Sequence, residues 1–391
     1  MTGDWDLAEE CAQDAFARAL ETWPRDGVPR RPGAWLTTTA RNLAVNRLRR
    51  TATEATKLRE VAAMAVGDEP LPHPGAESGD DSGVPDDRLR LIFTCCHPAL
   101  PFEGRVALTL RTLLGLTTAE LARAFLVAEP AMTQRLVRTK RKIREAGIPY
   151  RVPPAHLLPD RTTSVLGVIY LLFNEGYGAT AGADLARPDL SAEALRLGRI
   201  LAQLMPDEPE VAGLLALMLL QDSRRAARQD EAGDLIALED QDRARWDRAA
   251  IAEGLALLDA ALRQGESGPY QIQAAIAACH ATAPTAAGTD WPQIAALYSR
   301  LPPTPVIRLN HAVAVAMADG PAAGLVLVDR LAVAGDLAGY HLLPATRADL
   351  LRRLGRHPEA AAAYRESLAL TRTDAECRYL ERRLAESETG S

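Results

Sequence analysis

Aromatic side chains are scarce in this chain, 5% of 391 residues. That scarcity argues against sheet-built folds, which draw on aromatic and β-branched residues. Ala, Leu and Arg are abundant instead, a composition that favours helices. Cysteine is also rare: five residues, an odd number without framework spacing. A disulfide scaffold is therefore excluded, and a reducing cytoplasm is the expected compartment. Long apolar runs are missing as well. The longest, around residues 165–173 and 211–220, reach about half of the ~20 residues that a membrane span requires, so no membrane partner is expected. No secretory leader pattern is present. No Gly-rich phosphate loop, nucleophile elbow or paired-carboxylate site stands out, so neither a cofactor nor an enzymatic activity is expected. The pair Cys95-Cys96 with His97 lacks a second ligand pair at metal spacing and reads as helix packing, not a metal site.

The net charge of −6 hides a segregation. Residues 1–150 hold 21 Lys and Arg against 20 Asp and Glu, whereas residues 151–391 hold 24 against 31. Residues 61–87 contribute seven acids and no Lys or Arg, so the segments on either side of them are basic.

What the chain does have is a basic helix. From Pro130 to Arg144 there are six cations (Arg135, Arg138, Lys140, Arg141, Lys142, Arg144) and no acid. Met132, Leu136, Val137, the stem of Lys140 and Ile143 recur at helical spacing, so one face can bury while the other stays charged. Upstream, Leu116 to Phe125 reads as a shorter helix, with Thr117 or Thr118 as its N-cap and Glu120 in its first turn. Leu126 to Glu129 then separate it from Pro130, which suits the first position of a new helix. Short helix, tight turn and basic helix follow helix-turn-helix logic, with the second helix built for the major groove.

Residues 6–23 form an amphipathic helix with Leu7, Cys11, Ala12, Ala15, Phe16, Ala19, Leu20 and Trp23 on one face. Pro24 is expected to stop it, and a Pro/Gly/Arg loop over 24–32 follows. A second helix spans about 33–50, with Trp35, Leu36, Leu43 and Ala44 inward and Thr37, Thr38, Arg41, Asn42 and Arg47 outward. Residues 64–87, rich in Gly, Pro, Ser and Asp, read as a flexible acidic linker. From about 155 onward, helical segments repeat with short turns. In the pair 340–354 and 358–370, Gly355, Ala360, Tyr364 and Ser367 follow the tetratricopeptide pattern of small residues and an aromatic wedge. A short hairpin is expected near Gly233-Asp234. Asp222, Arg224, Arg225, Asp240, Asp242, Arg245 and Trp246 gather around it, forming either a ligand or protein groove or a salt-bridged helix junction.

Residues 6–20 (DLAEECAQDAFARAL) and 34–50 (AWLTTTARNLAVNRLRR) resemble the region 2 helices of bacterial extracytoplasmic-function (ECF) RNA polymerase sigma factors. Residues 101–146 resemble their region 4. The blocks at 170–177 (YLLFNEGY) and 238–243 (LEDQDR), with the terminal helical repeats, resemble the subgroup carrying a tetratricopeptide-like C-terminal extension. Two departures stand out. The chain begins where the family usually has one more helix, so either the start is truncated or region 2 lacks one wall of its core, and Asn46 stands where many relatives have Asp.

The resemblance implies an all-α chain divided into region 2 (1–60), an acidic linker (61–87), region 4 (88–150) and a helical tetratricopeptide-like domain (151–391) with one short β-hairpin. It implies a promoter-specificity subunit with core RNA polymerase and promoter DNA as partners. Glu9, Glu10, Gln13 and Asp14 would dock on the polymerase. Arg25, Arg30, Arg31, Thr37, Thr38, Arg41, Asn42 and Arg47 would handle the −10 element. Ala131, Met132, Gln134, Arg135, Arg138 and Lys142 would face the −35 element, where Gln suits adenine and Arg suits guanine. The C-terminal domain would regulate activity and take a protein or small ligand. The alternative is a ligand- or partner-sensing helix-turn-helix regulator that acts without polymerase.

Overall fold

The computed structural model describes residues 5–63, 87–125, 127–148, 153, 157–178, 188–265, 267–371 and 373–389. Most of the expected acidic linker, residues 64–86, lies outside them. The described residues are helical, with no strand among them. The chain divides into two compact units, Met1–Ser164 and Val165–Ser391.

In the first unit, α1 (Trp5–Asp26) packs on α2 (Pro32–Ala63). They are followed by α3 (Asp87–Cys95), α4 (Phe102–Leu114), α5 (Thr118–Ala124) and α6 (Glu129–Glu145). The buried seam of α1 is narrow: Cys11, Ala15 and Ala19, spaced four apart, are covered, as is Ala44 on α2. Small residues let the two helices approach closely, which leaves the bulkier neighbours outside. Phe16 is 58% exposed and Leu20 is 78% exposed, so both depart from the inward position that periodicity gave them. Pro24 does not stop the helix. It sits inside the last turn, and the chain turns away at Gly27, whose φ of 86° suits a residue without Cβ and whose N–H bonds the Trp23 carbonyl. Trp35 is half-buried and meets Trp23 edge-on at 5.6 Å.

Helices α3 to α6 share one core of Cys95, Leu100, Val106, Leu108, Leu121, Met132, Leu136 and Ile143. Cys95 and Cys96 are fully buried, and burial pushes the Cys95 thiol up to about 12. Such thiols are inert packing groups.

The second unit is a run of helices, from the major part of α7 (Pro159–Tyr177) through α8 (Pro188–Leu204), α9 (Pro209–Asp222), α10 (Arg248–Leu262), α11 (Pro269–Thr282) and α12 (Trp291–Ser299). It continues with α13 (Pro305–Asp319), α14 (Pro321–Ala334), α15 (Leu342–Arg353), α16 (His357–Leu370) and α17 (Asp374–Thr389). Helix α9 is apolar all round, as a helix with neighbours on every side must be, and α8, α10 and α11 pack against it. Beyond it the helices pack on their chain neighbours: α13 on α14, α15 on α16, α16 on α17. Gly324 marks one close crossing, since a Cβ there would collide with Ala316 and the Ala312 carbonyl. Ala360, Tyr364 and Ser367 are buried between α15 and α17. The expected hairpin is reduced to a single antiparallel bridge, Gln229 with Leu235. Gln229 and Leu235 flank an Asx-type turn in which the Asp230 carboxylate accepts from the Ala232 and Asp234 N–H groups.

Candidate nucleic-acid interface

The basic helix α6 is set by its buried side. Met132, Leu136, Thr139 and Ile143 recur at helical spacing and lie in the core. Thr139 is drawn close to α4, where only Gly104 leaves room for its hydroxyl. This fixes which residues point outward: Ala131, Gln134, Arg138, Arg141, Lys142 and Arg144 are exposed. Met132 is 0% exposed. The expectation that it faces DNA is corrected: it is a core residue, placed there by the same spacing that brings Leu136 and Ile143 inward. Val137 is the converse case, apolar but 58% exposed.

Arg135 is half-buried. Its guanidinium pairs with Glu103 at 3.0 Å and lies over the Phe125 ring at 5.7 Å. It tethers α6 to α4 and to the residue just after α5. Among the described residues, Arg138 and Lys142 form no ion pair, and Arg141 pairs only along its own helix, with Glu145 at 3.4 Å. Arg138 and Lys142, exposed beside the exposed amide of Gln134, are suited to duplex DNA, where cations release counterions and an amide can read a base edge.

On the first two helices and the loop between them, Arg25, Arg30, Arg31, Thr37, Thr38, Arg41 and Asn42 are all exposed. Arg25 is held by the neighbouring Asp26 carboxylate at 2.9 Å, which raises its pKa. The Thr37 hydroxyl donates to the Gly33 carbonyl at 2.9 Å. Arg47 differs from this group. It reaches across to α1 and donates to Asp14 at 2.7 Å and to Glu10, so one residue expected on DNA and two expected on polymerase hold each other. Glu9 is engaged too: Lys140 Nζ lies 2.9 Å from one carboxylate oxygen and Arg111 Nη2 lies 3.7 Å from the other. Gln13 is exposed. Sequence reasoning missed Glu103 and Arg111 as partners of this surface, because their pairing depends on contacts remote in sequence that no local pattern records.

Two small helical domains, one presenting an outward cationic helix behind a short helix and turn, define a sigma-type transcription initiation factor. Residues 1–54 match the Sigma-70 region 2 family, and residues 90–143 match the Sigma-70 region 4 family. Residues 161–262 match a family of unknown function, DUF6596. The chain is 45% identical over 382 residues to a Rhizobium meliloti (strain 1021) protein described as uncharacterized, covering 97% of this chain and 89% of that one. It is 27% identical over 155 residues to the probable ECF RNA polymerase sigma factor SigI of Mycobacterium tuberculosis, covering 40% of this chain and 52% of SigI. No solved structure matches. The chain belongs to the ECF-type sigma factors and carries a helical C-terminal extension. No described helix is long and apolar enough to cross a membrane.

Proposed function

We propose that this chain binds core RNA polymerase and directs it to promoters with −35 and −10 elements. The observation that carries this reading is the outward row of α6, Ala131, Gln134, Arg138 and Lys142, fixed by the burial of Met132, Leu136 and Ile143. These four side chains would read the −35 element, with Gln134 and Arg138 making base contacts worth about 1–3 kcal/mol each. Arg141 and Arg144 would meet phosphates. Arg25, Arg30, Arg31, Thr37, Thr38, Arg41 and Asn42 would hold the melted −10 strand, with cations on phosphates. Arg47 would act from behind, fixing α2 to α1.

Glu9, Glu10, Gln13 and Asp14 form the surface offered to polymerase. In the free chain Glu9 holds Lys140, and Glu10 and Asp14 hold Arg47. Exposed ion pairs of this kind contribute at most about 1 kcal/mol, so a polymerase surface presenting its own cations can displace them at small cost. Exchange of Lys140 from Glu9 to DNA phosphate would then accompany loading.

The C-terminal extension, with its tetratricopeptide-like helix pairs, would regulate this activity through a bound partner or ligand. The test is reconstitution: purified core polymerase with the full chain on genomic fragments, with transcript 5′ ends mapped. New start sites that depend on the chain are the expected result, and none at all would refute the proposal.

A further inference from the structure

The second unit contains a concentration of cations that this reading leaves unused. Arg224, in the turn after α9, and Arg243, in the single 3-10 turn just before α10, are brought together where the Asp247 N–H bonds the Ser223 carbonyl at 2.9 Å. The Arg243 guanidinium stacks 4.5 Å from the ring centroid of Trp246, which is 3% exposed. Its Nη1 donates to the carbonyls of His280 and Ala283, at 2.6 and 2.9 Å, where α11 ends. Arg248 donates to the Arg243 carbonyl at 3.1 Å.

Ordinary practice would place a carboxylate among such groups, since burial penalises unpaired charge. Here the acids nearest in sequence are committed elsewhere. Asp222 holds Arg225, Asp242 accepts from the Ala244 N–H, and Asp247 caps α10 through Ala249 and Ala250. Among the described residues neither Arg224 nor Arg243 pairs with any acid. Three buried N–H groups of the cluster also lack a partner: Arg224 Nε, Arg243 Nη2 and Trp246 Nε1. Unsatisfied buried donors are rare and destabilising, and they call for an explanation. The mutual repulsion is felt locally as well. Burial, with Arg224 and Arg243 close by, pulls the His280 imidazole down to about 4, and Arg243 itself is lowered by burial and by Arg224 and Arg248.

We infer that Arg224, Arg243 and Arg248, beside Trp246 and His280, form a binding site for a phosphate group, carried free or on a small molecule. Several cations without a carboxylate suit a dianion better than a monocarboxylate, and guanidinium forks match phosphate oxygens in geometry. Side-chain movement of Arg224, the member without hydrogen bonds to hold it, would open its donors to the ligand. The site stands whether or not the chain initiates transcription.

The test uses the full chain, in calorimetry and thermal melts at constant ionic strength, with inorganic phosphate, glycerol phosphate and acetate as probes. Because α6 also offers exposed cations, the deciding comparison is with Arg224→Gln. Phosphate should bind saturably and acetate should not, and Arg224→Gln should weaken phosphate binding by about tenfold or more. Without ligand the same variant should melt above the wild type, since it relieves repulsion. A merely structural arginine would lower the melting temperature. Tighter binding of glycerol phosphate than of phosphate would assign the group to a larger molecule, and the reverse would assign it to free phosphate. Equal response to acetate, unchanged phosphate binding in Arg224→Gln, or a lowered melting temperature would overturn the site. Arg248→Gln, which alters an exposed member of the same cluster, should shift binding in the same direction and guards against a misfolded first variant.

Discussion

Helix α6 and the segment around Arg224–Arg248 are both rich in arginine, yet the fold treats them oppositely. On α6 the cations fan outward from a buried apolar seam, so Arg138 and Lys142 stay in water. Around Arg243 the backbone draws half-buried cations together over the buried Trp246 and the end of α11, where screening by water is reduced. Extended and solvated charge suits a polyanion of indefinite length. Convergent and partly buried charge suits a small anion or sets up strain. Arginine content is common to both, and only the packing tells them apart.

The largest effect that would sharpen this contrast comes from the seam itself. Met132→Ala should destabilise the first unit by about 2–5 kcal/mol in denaturant unfolding, because it opens a cavity under α6. Arg138→Ala should leave stability within about 0.5 kcal/mol. If Met132→Ala left unfolding unchanged, the buried placement would be wrong.

The convergent cluster should show itself in acid. His280 is held near 4 in the folded chain, chiefly by burial and then by Arg224 and Arg243, against an unfolded value near 6.5. The unfolded chain therefore binds the proton first. Stability should be full above about pH 6.5 and fall as the pH drops toward 4, by up to about 3 kcal/mol from this residue. His280→Gln should flatten that acid limb in melts taken across the range, and an unchanged slope would contradict a His280 held neutral by burial and its arginine neighbours.

On the solvated side, Gln134→Ala and Arg138→Ala should each cost about 1–3 kcal/mol on a preferred promoter sequence and much less on random DNA. Neutralising Arg141 or Arg144 should weaken both alike and reduce the salt dependence, measured by anisotropy over a range of potassium chloride. The smallest effect belongs to the Glu9–Lys140 pair. A double-mutant cycle with alanine at both positions should give a coupling below about 1 kcal/mol, and a larger value would mean the contact is no easily displaced exposed pair.

Much of this was legible in the residues. The spacing of Met132, Leu136 and Ile143 alone orients α6, and periodicity places Gln134, Arg138 and Lys142 on its outer face. The same rule failed for Phe16 and Leu20, because α1 closes on α2 through a seam of small residues that hydropathy does not favour. For Met132 the periodicity was right, and it was the resemblance that placed this buried residue on the −35 element. Pro24 misled because a proline in a last turn ends nothing while the next residues can still hold helical geometry. The Glu9, Glu103 and Arg47 pairings, and the approach of Arg243 to the end of α11, depend on tertiary contacts and leave no trace in a local window.

If the outer face of α6 reads promoter DNA while α1 engages polymerase, the two roles should separate in run-off transcription from a mapped promoter with core enzyme and the doubly substituted chain Arg138→Ala/Lys142→Ala. This chain should still co-elute with core enzyme but initiate at least about tenfold less often. Initiation at the wild-type level by that chain would show that α6 does not read the promoter.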